Sequence, residues 1–550
     1  MKNLKKVFAV VIALSMILST AAFAAVFSDV ADNAAYTEAI ELGASINLFT
    51  GYEDGSFKPE GDITRAEFAA IIVRMLGQEA QSSGAAGATK FADVPSTHWA
   101  AGYINIVTNL GIVNGYGDGN FGPEDNVTYE QAVKMCVVAL GYEPAAAGNY
   151  PVGYLTIAQQ RGVTTSVKGT SGVAINRGQV AQMAFNSLDV PLMTQTGFGT
   201  YIEYVINDGT NNTTRKTLLS ENLDIVKIKA MVEQTYDLSS SKKESLVQVE
   251  VLNAYRSIYG DKGEKFEEDT KVSIDAGKTN LKSFVGYNVI AYVAYNDAYD
   301  DDPVALYVTK DISSADEITI AASDIEDIVK VGSTHYDVSY MASKDARSAE
   351  KFSVDAGARV YYNGQKDDRT LTTILNNFYG TATFALNDSR NTEYDYDTVY
   401  VLHYENAVVE SVNLTAGRVS VKEGKVVYFG DNQPDSSATL YDVDGKELEW
   451  SELEENDVLS IRRTVGTNNR NVYVCTLVRN VVEGVITEKT SEDDAEFKIG
   501  GAYYKTDNGI VYPDDLDLQY EGVFYLDIFG RIAYYEAQSS LSSNYAFVID

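Results

Sequence analysis

Cysteine and histidine are scarce in this chain of 550 residues, which has 2 cysteines and 3 histidines. Cys136 and Cys475 lie far apart in the sequence, so a disulfide framework is excluded and two separate buried thiols are expected. His98, His335 and His403 do not pair at metal-ligand spacing. The sequence also lacks a nucleophile elbow, a metalloprotease helix motif and a phosphate-binding loop. These absences favour a protein that is not an enzyme. The many carboxylates mean that the sequence does not exclude a catalytic pair of the glycosidase type.

Positive charge is also in short supply, with 44 Lys and Arg against 78 Asp and Glu and a net charge of -34. Such a charge repels nucleic acid and anionic membrane surfaces, so neither is expected as a partner. Hydrophobic residues make up 45% of the chain, which is enough for globular structure. The length predicts several domains, each with its own core.

Long apolar runs are missing except at the amino terminus. Lys2, Lys5 and Lys6 precede an apolar stretch over residues 7–18, and a small-x-small site follows at residues 22–24. This pattern predicts a cleaved signal peptide over residues 1–24, with an uncleaved membrane anchor as the less favoured alternative. Spanning a bilayer takes about 20 apolar residues. We therefore expect an exported protein with no membrane span after signal cleavage.

What the sequence does contain is an internal repeat at a constant offset of 64 residues. Two motifs return at this offset: FSDV at 27–30 as FADV at 91–94, and GYEDGSFKP at 51–59 as GYGDGNFGP at 115–123. The constant offset indicates one helix–loop–helix unit that is used more than once. Glycines that permit positive φ, together with Asp54 and Asp118, predict a tight and ordered loop in each copy.

The second helix of each unit starts with a capping box, in which two side chains satisfy free backbone amides. The predicted boxes pair Thr64 with Glu67, Thr128 with Gln131, and Asn176 with Gln179. The last pair indicates a third, degenerate unit in which residues 162–173 replace the glycine-rich loop. The predicted boundaries are 25–78 for the first unit, 79–90 for a flexible linker, 91–143 for the second unit and 144–194 for the third.

The three units resemble a triplet of S-layer homology domains, and ITRAE at residues 63–67 is the most specific match. The resemblance implies a pseudo-threefold all-α bundle whose grooves bind an anionic, often pyruvylated, secondary cell-wall polysaccharide. The motif arginine of that family falls on Arg65 and Arg177, whereas Tyr129 occupies the position in the second unit. Trp99 matches the family's aromatic residue in the first helix. The predicted polysaccharide-binding residues are Arg65, Arg177, Trp99, Tyr116, Asp118 and Asp54.

The chemistry of these side chains agrees with that expectation. Arginine is a planar, bidentate donor for anionic groups, and helix starts favour anions through their free amides. An exposed Trp99 or Tyr116 can stack on a sugar ring. Core packing is the alternative for Trp99. Loop organisation is the alternative for Asp54 and Asp118.

From residue 195 onward the apolar period changes to that of strands, rich in valine and tyrosine. We predict tandem small barrels or sandwiches over residues 195–320, 321–480 and 481–550, with one short helix at 371–378. A weaker repeat, a turn-forming segment followed by a strand pair, begins at residues 281, 450 and 516. The last module is either incomplete, which makes the chain a fragment, or ends in a plain edge strand.

Two acidic loops raise the hypothesis of Ca²⁺ binding, because hard oxygen ligands suit that ion. The first holds Asn296, Asp297 and residues 300–302. The second offers the candidate ligands Asp388, Glu393, Asp395 and Asp397. Neither loop has the spacing of the twelve-residue calcium loop. Solvated hairpin loops are the favoured alternative, and no other cofactor is expected.

Two classes of function remain. The first is an exported surface-layer or cell-surface protein, anchored non-covalently through its repeats, whose β modules are structural or assemble into a surface array. The second is a wall-anchored enzyme or carbohydrate-binding adhesin, with its activity in the β region or in a missing carboxy-terminal part. The scarcity of catalytic motifs favours the first class.

Overall fold

The structure is a computed structural model that describes most of the chain between residues 27 and 537. The described ranges are 27–31, 34–146, 148–197, 199, 201–210, 214–235, 245–253, 266–295, 302–311, 316–343, 346–387, 393–422, 424–429, 436–465, 471–490, 495–506 and 516–537. The predicted signal peptide, the acidic residues 296–301, Asp388 and the predicted last strand at 545–550 lie outside these ranges.

Helices occupy the repeat units. In chain order they are α1 (Thr37–Ser45), α2 (Arg65–Met75), α3 (Glu79–Ala85), α4 (Ala101–Asn109), α5 (Tyr129–Ala139), α6 (Val152–Gln160) and α7 (Arg177–Leu188). The first unit contributes α1 and α2, the second α4 and α5, and the third α6 and α7. Helix α3 lies where the sequence predicted a flexible linker. Gly102 of α4 lets the backbone of Ser82 in α3 approach closely, so tertiary packing holds this short helix.

Capping residues define the starts of the second helices. The Glu67 amide donates to Thr64 Oγ1 at 3.2 Å, and the Thr64 amide donates to Glu67 Oε2 at 2.8 Å. Asn176 and Gln179 make the same reciprocal pair at the start of α7. In the second unit the Thr128 amide donates to Gln131 Oε1 at 3.3 Å.

The extended segments before these helices join the units to one another. Isolated antiparallel bridges pair Thr64 with Asn126, Thr128 with Ala174, and Asp62 with Asn176. Each bridge connects a different pair of units, so each unit contacts the other two. The backbone groups that precede a helix have no helical partner, and the neighbouring unit supplies one.

The prediction of an all-α amino-terminal bundle is wrong. Helices account for only 21% of the structure, and β bridges join the helical units. Their apolar core also continues into β structure, because Ile225, Tyr292 and Tyr307 belong to the same buried cluster as the helices. The chain is a multidomain protein in which the region after the helical units is mostly β-sheet.

A hairpin and a short helix lead from the helical units to the first β module. The hairpin pairs β1 (Met193–Gln195) with β2 (Tyr204–Ile206), and α8 (Leu218–Asn222) follows. Gly77 after α2 has φ 66°, and a Cβ there would lie 2.0 Å from the Asn222 carbonyl oxygen. Only glycine therefore allows the first unit to approach α8 this closely.

The first β module is a closed barrel in the order β3-β4-β5-β7-β6. Its strands are β3 (Ile225–Thr235), β4 (Leu246–Asn253), β5 (Lys271–Asp275), β6 (Asn288–Ala294) and β7 (Val304–Lys310). Alternating valine, isoleucine and alanine side chains fill its interior.

The second β module is a seven-stranded sheet in the order β8-β13-β14-β11-β10-β9, with β12 paired to β11. Its elements are β8 (Glu317–Ala321), β9 (Ile325–Val331), β10 (His335–Tyr340), β11 (Glu350–Tyr362), β12 (Gln365–Lys366), α9 (Leu371–Leu375), β13 (Gly380–Ala385) and β14 (Tyr396–His403). Strands β11 and β14 of this module run parallel.

The third module has the order β17-β16-β15-β19-β20-β18, and the fourth has the order β23-β22-β21-β24-β25. The strands of the third are β15 (Glu405–Asn413), β16 (Arg418–Val421), β17 (Val426–Tyr428), β18 (Ser436–Tyr441), β19 (Val458–Val465) and β20 (Asn471–Val478). Those of the fourth are β21 (Val481–Lys489), β22 (Glu496–Ile499), β23 (Ala502–Lys505), β24 (Glu521–Leu526) and β25 (Ile532–Ala537).

One backbone device recurs in the first, third and fourth modules. In each of these modules a residue with positive φ lies just before one strand, which is β6 in the barrel and β19 and β24 in the other two modules. The amide of this residue donates to a backbone carbonyl at a β-bulge in the first strand of the module. These donor–acceptor pairs are Gly286 with Val232, Asn456 with Val409, and Gln519 with Ile486. The amide of the bulge residue donates back to the residue after the donor. This hydrogen-bonded pair gives the weak sequence repeat a physical meaning.

Both cysteines are free and buried, as the sequence predicted. Cys136 lies in α5 and Cys475 in β20. Burial raises the pKa of each thiol to about 12, which keeps both protonated at neutral pH.

Candidate functional site

Arg65 extends from the first turn of α2 into the glycine-rich loop of the second unit. Its Nε donates to the Phe121 carbonyl at 3.0 Å, and Nη2 donates to the Asn114 carbonyl at 3.3 Å. Nη1 donates to Gln131 Oε1 at 3.2 Å. The guanidinium lies 4.8 Å from the ring centre of Tyr116. Burial lowers the pKa of Arg65, but a guanidinium stays protonated in proteins.

Arg177 repeats this arrangement between the third unit and the first. Its Nε donates to the Phe57 carbonyl at 2.8 Å, and Nη2 donates to the Thr50 carbonyl at 3.2 Å. Nη1 forms an ion pair with Glu67 Oε1 at 3.9 Å, a distance that is too long for a hydrogen bond. Among the described residues, Nη1 of Arg177 thus has an ion-pair partner but no hydrogen-bond acceptor, whereas Nη1 of Arg65 has one in Gln131.

Tyr129 fills the corresponding place between the second and third units. Its ring lies directly against the backbone of Gly169, where a Cβ would come within 2.1 Å of the ring. Residues 162–173 replace the glycine-rich loop here, so the aromatic ring packs on a different partner. The three contacts between units are therefore chemically unequal, with two arginines and one tyrosine.

A cavity of about 230 Å³ lies beside Arg177, and we call it the Trp99 groove. Its lining includes Glu67, Arg74, Trp99 and Arg177. These side chains come from all three units, since Trp99 belongs to the second, Arg177 to the third, and Glu67 and Arg74 to the first. Trp99 is 57% exposed, so its indole is not a core side chain. The groove therefore joins guanidinium groups, a carboxylate and an open aromatic surface.

Arg74 is a groove residue that the sequence analysis did not identify. It lies in α2, and its Nη1 donates to the Leu48 carbonyl at 3.3 Å. Its Nε pairs with Glu79 Oε2 at 3.0 Å, and Glu79 also accepts from the Tyr103 hydroxyl. Its position seven residues after Glu67 in the same helix was the available signal, because seven residues are about two helical turns and return to nearly the same face.

The remaining predicted binding residues lie elsewhere. Tyr116 is 51% exposed and its hydroxyl donates to Asp125 Oδ2 at 3.0 Å, so it lies beside Arg65 and not in the Trp99 groove. Asp54 accepts from the Ser56 amide at 3.0 Å and from its hydroxyl, and these bonds lower the pKa of Asp54. Asp118 accepts from the Asn120 amide at 2.9 Å. Both aspartates hydrogen-bond within their own loops.

The predicted metal ligands are spread over separate contacts. Asp395 accepts from the Ser353 amide at 2.7 Å and from its hydroxyl at 2.9 Å. Asp397 accepts from the Asn387 amide at 2.9 Å, and Glu393 accepts from the Tyr394 hydroxyl. In the part of the chain that the structure describes, no three His, Cys, Asp or Glu side chains are grouped to hold a metal ion.

Comparison with known proteins identifies the class of the helical units. The sequence model of the family described as S-layer homology domain matches residues 26–69 and 90–133. These ranges fall in the first and second units. The resemblance predicted from the repeat is confirmed.

Particular relatives extend the match beyond the units. The chain is 27% identical to the "Surface layer protein" of Brevibacillus choshinensis, over 93% of this chain and 47% of the relative. It is 28% identical to the "Cell surface protein" of Thermoanaerobacter kivui, over 92% of this chain and 57% of the relative. It is 44% identical to a "Cellulosome-anchoring protein" of Acetivibrio thermocellus over 16% of this chain and 19% of that protein. The chain thus spans about half the length of the first two relatives.

Proteins with enzyme names match only a small part of the chain. Three such relatives align with 17–20% of it, in the S-layer homology region. The matches together support a secreted, cell-wall-anchored surface protein, and the predicted localisation is confirmed. The helices of the described residues are all too short or too polar to cross a membrane.

Proposed function

We propose that the Trp99 groove binds an anionic, pyruvylated secondary cell-wall polysaccharide and thereby anchors the chain to the wall. Arg177 Nη1, with its spare donor capacity, lies where it can bind a carboxylate of the polymer, and Arg74 adds a second guanidinium. Charge-assisted hydrogen bonds of this kind are about twice as strong as neutral ones. The exposed indole of Trp99 offers the apolar surface that a sugar ring packs against.

The observation that carries this proposal is the meeting of Arg177, Arg74 and exposed Trp99 in one cavity. In this groove the tryptophan is exposed, and Arg177 Nη1 makes an ion pair with Glu67 at 3.9 Å where Arg65 Nη1 makes a hydrogen bond. Arg74 is bonded to Glu79 and to the Leu48 carbonyl, so Arg177 is the groove cation with the more open donor. The surroundings of Arg65, with its three hydrogen bonds, make that contact a weaker candidate.

We further propose that the four β modules are structural and take part in a surface array, and that the chain is not an enzyme. The modules are joined by buried polar contacts that fix their relative positions. The Tyr379 hydroxyl of the second module donates to Asp527 of the fourth, and Asn406 Nδ2 of the third donates to the same carboxylate at 2.8 Å. Modules held in fixed relative positions suit a structural protein of a surface array.

Sedimentation with purified cell walls tests the anchor. The full chain is mixed with intact walls, with walls stripped of secondary polymer, and with walls whose pyruvate ketals have been removed by mild acid. We expect co-sedimentation with intact walls alone, because the carboxylate of the ketal is the proposed partner of the guanidinium groups. Equal binding to all three preparations, or to none of them, contradicts the proposal.

A further inference from the structure

A second cavity of about 350 Å³ lies between the second and third β modules, and we call it the junction cleft. Its lining includes Tyr362, Lys366, Arg369, His403, Glu405 and Arg463. The first four belong to the second module, and Glu405 and Arg463 belong to the third. The cleft is separate in sequence and in position from the helical units, so it is not part of the Trp99 groove.

Asn363 holds the base of the junction cleft in place. Its Nδ2 donates to the carbonyls of His403 at 3.1 Å and Arg463 at 3.0 Å, and its Oδ1 accepts from the His403 amide at 2.7 Å. Its own carbonyl accepts from the Thr464 hydroxyl at 2.7 Å. Because Asn363 is buried and bonded to both modules, the cleft is preformed.

The cations of the cleft are not all neutralised. Arg369 donates from Nε and Nη2 to both oxygens of Asp367, so the carboxylate of Asp367 neutralises this guanidinium. Lys366 and Arg463, by contrast, take part in none of the ion pairs formed among the described residues. The chain carries a net charge of -34, and this cavity places two cations without an ion pair beside each other.

The aromatic side chains of the cleft are already engaged. The Tyr362 ring lies 5.7 Å from the His403 ring at an angle of 25°, and the Arg369 guanidinium lies 4.8 Å from the centre of the Tyr362 ring. His403 Nδ1 accepts from the Tyr379 amide at 2.9 Å, which places the proton of the neutral ring on Nε2. Burial lowers the pKa of His403, so the ring is a neutral donor at pH 7.

We propose that the junction cleft binds a hexose that carries a carboxylate, with Arg463 and Lys366 binding the carboxylate and Glu405 accepting from ring hydroxyls. A neutral sugar would leave both cations unpaired. An acidic peptide segment, such as one from a second copy of this chain, would bring several carboxylates close to Glu405, and like charges repel one another. An acidic sugar supplies both kinds of partner. This inference does not rest on the function proposed for the Trp99 groove.

Titration calorimetry with a defined probe tests the cleft. The full chain carrying Trp99→Ala, which removes the proposed groove contact, is titrated with a glucuronate-containing disaccharide at low salt. We expect binding that weakens at least tenfold in Arg463→Gln and also weakens in Lys366→Gln, because a charge-assisted contact is worth about 1.5–3 kcal/mol and 1.4 kcal/mol is tenfold. Lys446→Gln, an exposed lysine in a turn outside the cleft, is the matched control and should bind as the parent does.

The comparison ligands decide between occupants. The corresponding glucose disaccharide should give no heat of binding above the buffer blank, and a polyaspartate peptide should not displace the acidic disaccharide. The proposal is overturned if the acidic disaccharide does not bind, if the neutral one binds equally, if Arg463→Gln has no effect, or if polyaspartate is preferred. Thermal unfolding of each variant verifies that the fold is retained. The two proposals are tested independently. Absence of disaccharide binding would not contradict wall anchoring by the Trp99 groove, and absence of wall binding would not contradict disaccharide binding in the junction cleft.

Discussion

Arg65 and Arg177 occupy the same motif position in two units, and both have a structural role. Both guanidinium groups are buried and donate to carbonyls of a neighbouring unit, so each stabilises a contact between units. The sequence motif identified the residues but could not tell which one retains an open donor. That distinction depends on Gln131 facing Arg65 at 3.2 Å, where Glu67 faces Arg177 at 3.9 Å.

Replacing Arg65 should therefore destabilise the protein. Arg65→Ala leaves the carbonyls of Phe121 and Asn114 without their donors, and each unsatisfied buried group costs about 1–3 kcal/mol. We expect the free energy of unfolding to fall by about 2–4 kcal/mol in urea denaturation. Arg418→Ala, at an exposed position in β16, should change it by less than about 0.5 kcal/mol. Equal effects of the two substitutions would show that the hydrogen bonds of Arg65 do not stabilise the fold.

At the scale of elements, capping motifs predicted helix starts correctly, whereas residue composition did not predict helix α3. The capping pairs of α2 and α7 follow from side-chain chemistry within four residues, and the structure contains them. Helix α3 was missed because its small residues are typical of a linker. It is held by packing against Gly102, a tertiary contact that has no local signal. The parallel pairing of β11 with β14 is another long-range choice that the strand pattern cannot specify.

The recurring bulge device makes a prediction about Gln519. Its φ is 71°, where the equivalent residues are Gly286 and Asn456, both of which tolerate positive φ better. A residue with a Cβ pays about 1–2 kcal/mol in this conformation. Gln519→Gly should therefore raise the free energy of unfolding by about 0.5–1 kcal/mol after the entropic cost of glycine.

Gln519→Ala is the control for that measurement, because it removes the same side chain but keeps the Cβ. Chemical denaturation of both variants separates strain from lost side-chain contacts. If alanine stabilises the protein as much as glycine does, backbone strain at this turn is not the cause.

At the scale of the whole molecule, the helical units and the barrel share one core. Leu218 and Leu219 of α8, with Ile225 of β3, are buried in the same cluster as the helices. The sequence placed the boundary at residue 194, where the apolar period changes from helix to strand. A change of period marks a change of element type, but it carries no information about whether two regions pack together.

A fragment that ends at residue 194 should thus be less stable than one that ends at residue 311 and includes the barrel. Burying an aliphatic side chain contributes about 1.5–3 kcal/mol, and the shorter fragment exposes the face that packs against Leu218, Leu219 and Ile225. Circular dichroism melts of the two fragments, followed at the helical signal, measure the difference. We expect a lower melting temperature for the shorter fragment, and equal melting temperatures would mean that the shared core does not stabilise the helical units.

The central claim is that the Trp99 groove, and not the surface around Arg65, holds the chain to the wall polymer. The most direct measurement is the affinity of purified, pyruvylated polymer for three full-length variants: Trp99→Ala, Tyr150→Ala and Tyr201→Ala. Trp99 belongs to the groove, Tyr150 lies near Arg65, and Tyr201 is an exposed aromatic control outside the helical units. The account predicts a loss of at least tenfold for Trp99→Ala alone, since truncating a tryptophan that anchors a bound partner costs about 2 kcal/mol or more and 1.4 kcal/mol is tenfold. Unchanged affinity in Trp99→Ala, or an equal loss in Tyr150→Ala, would contradict it.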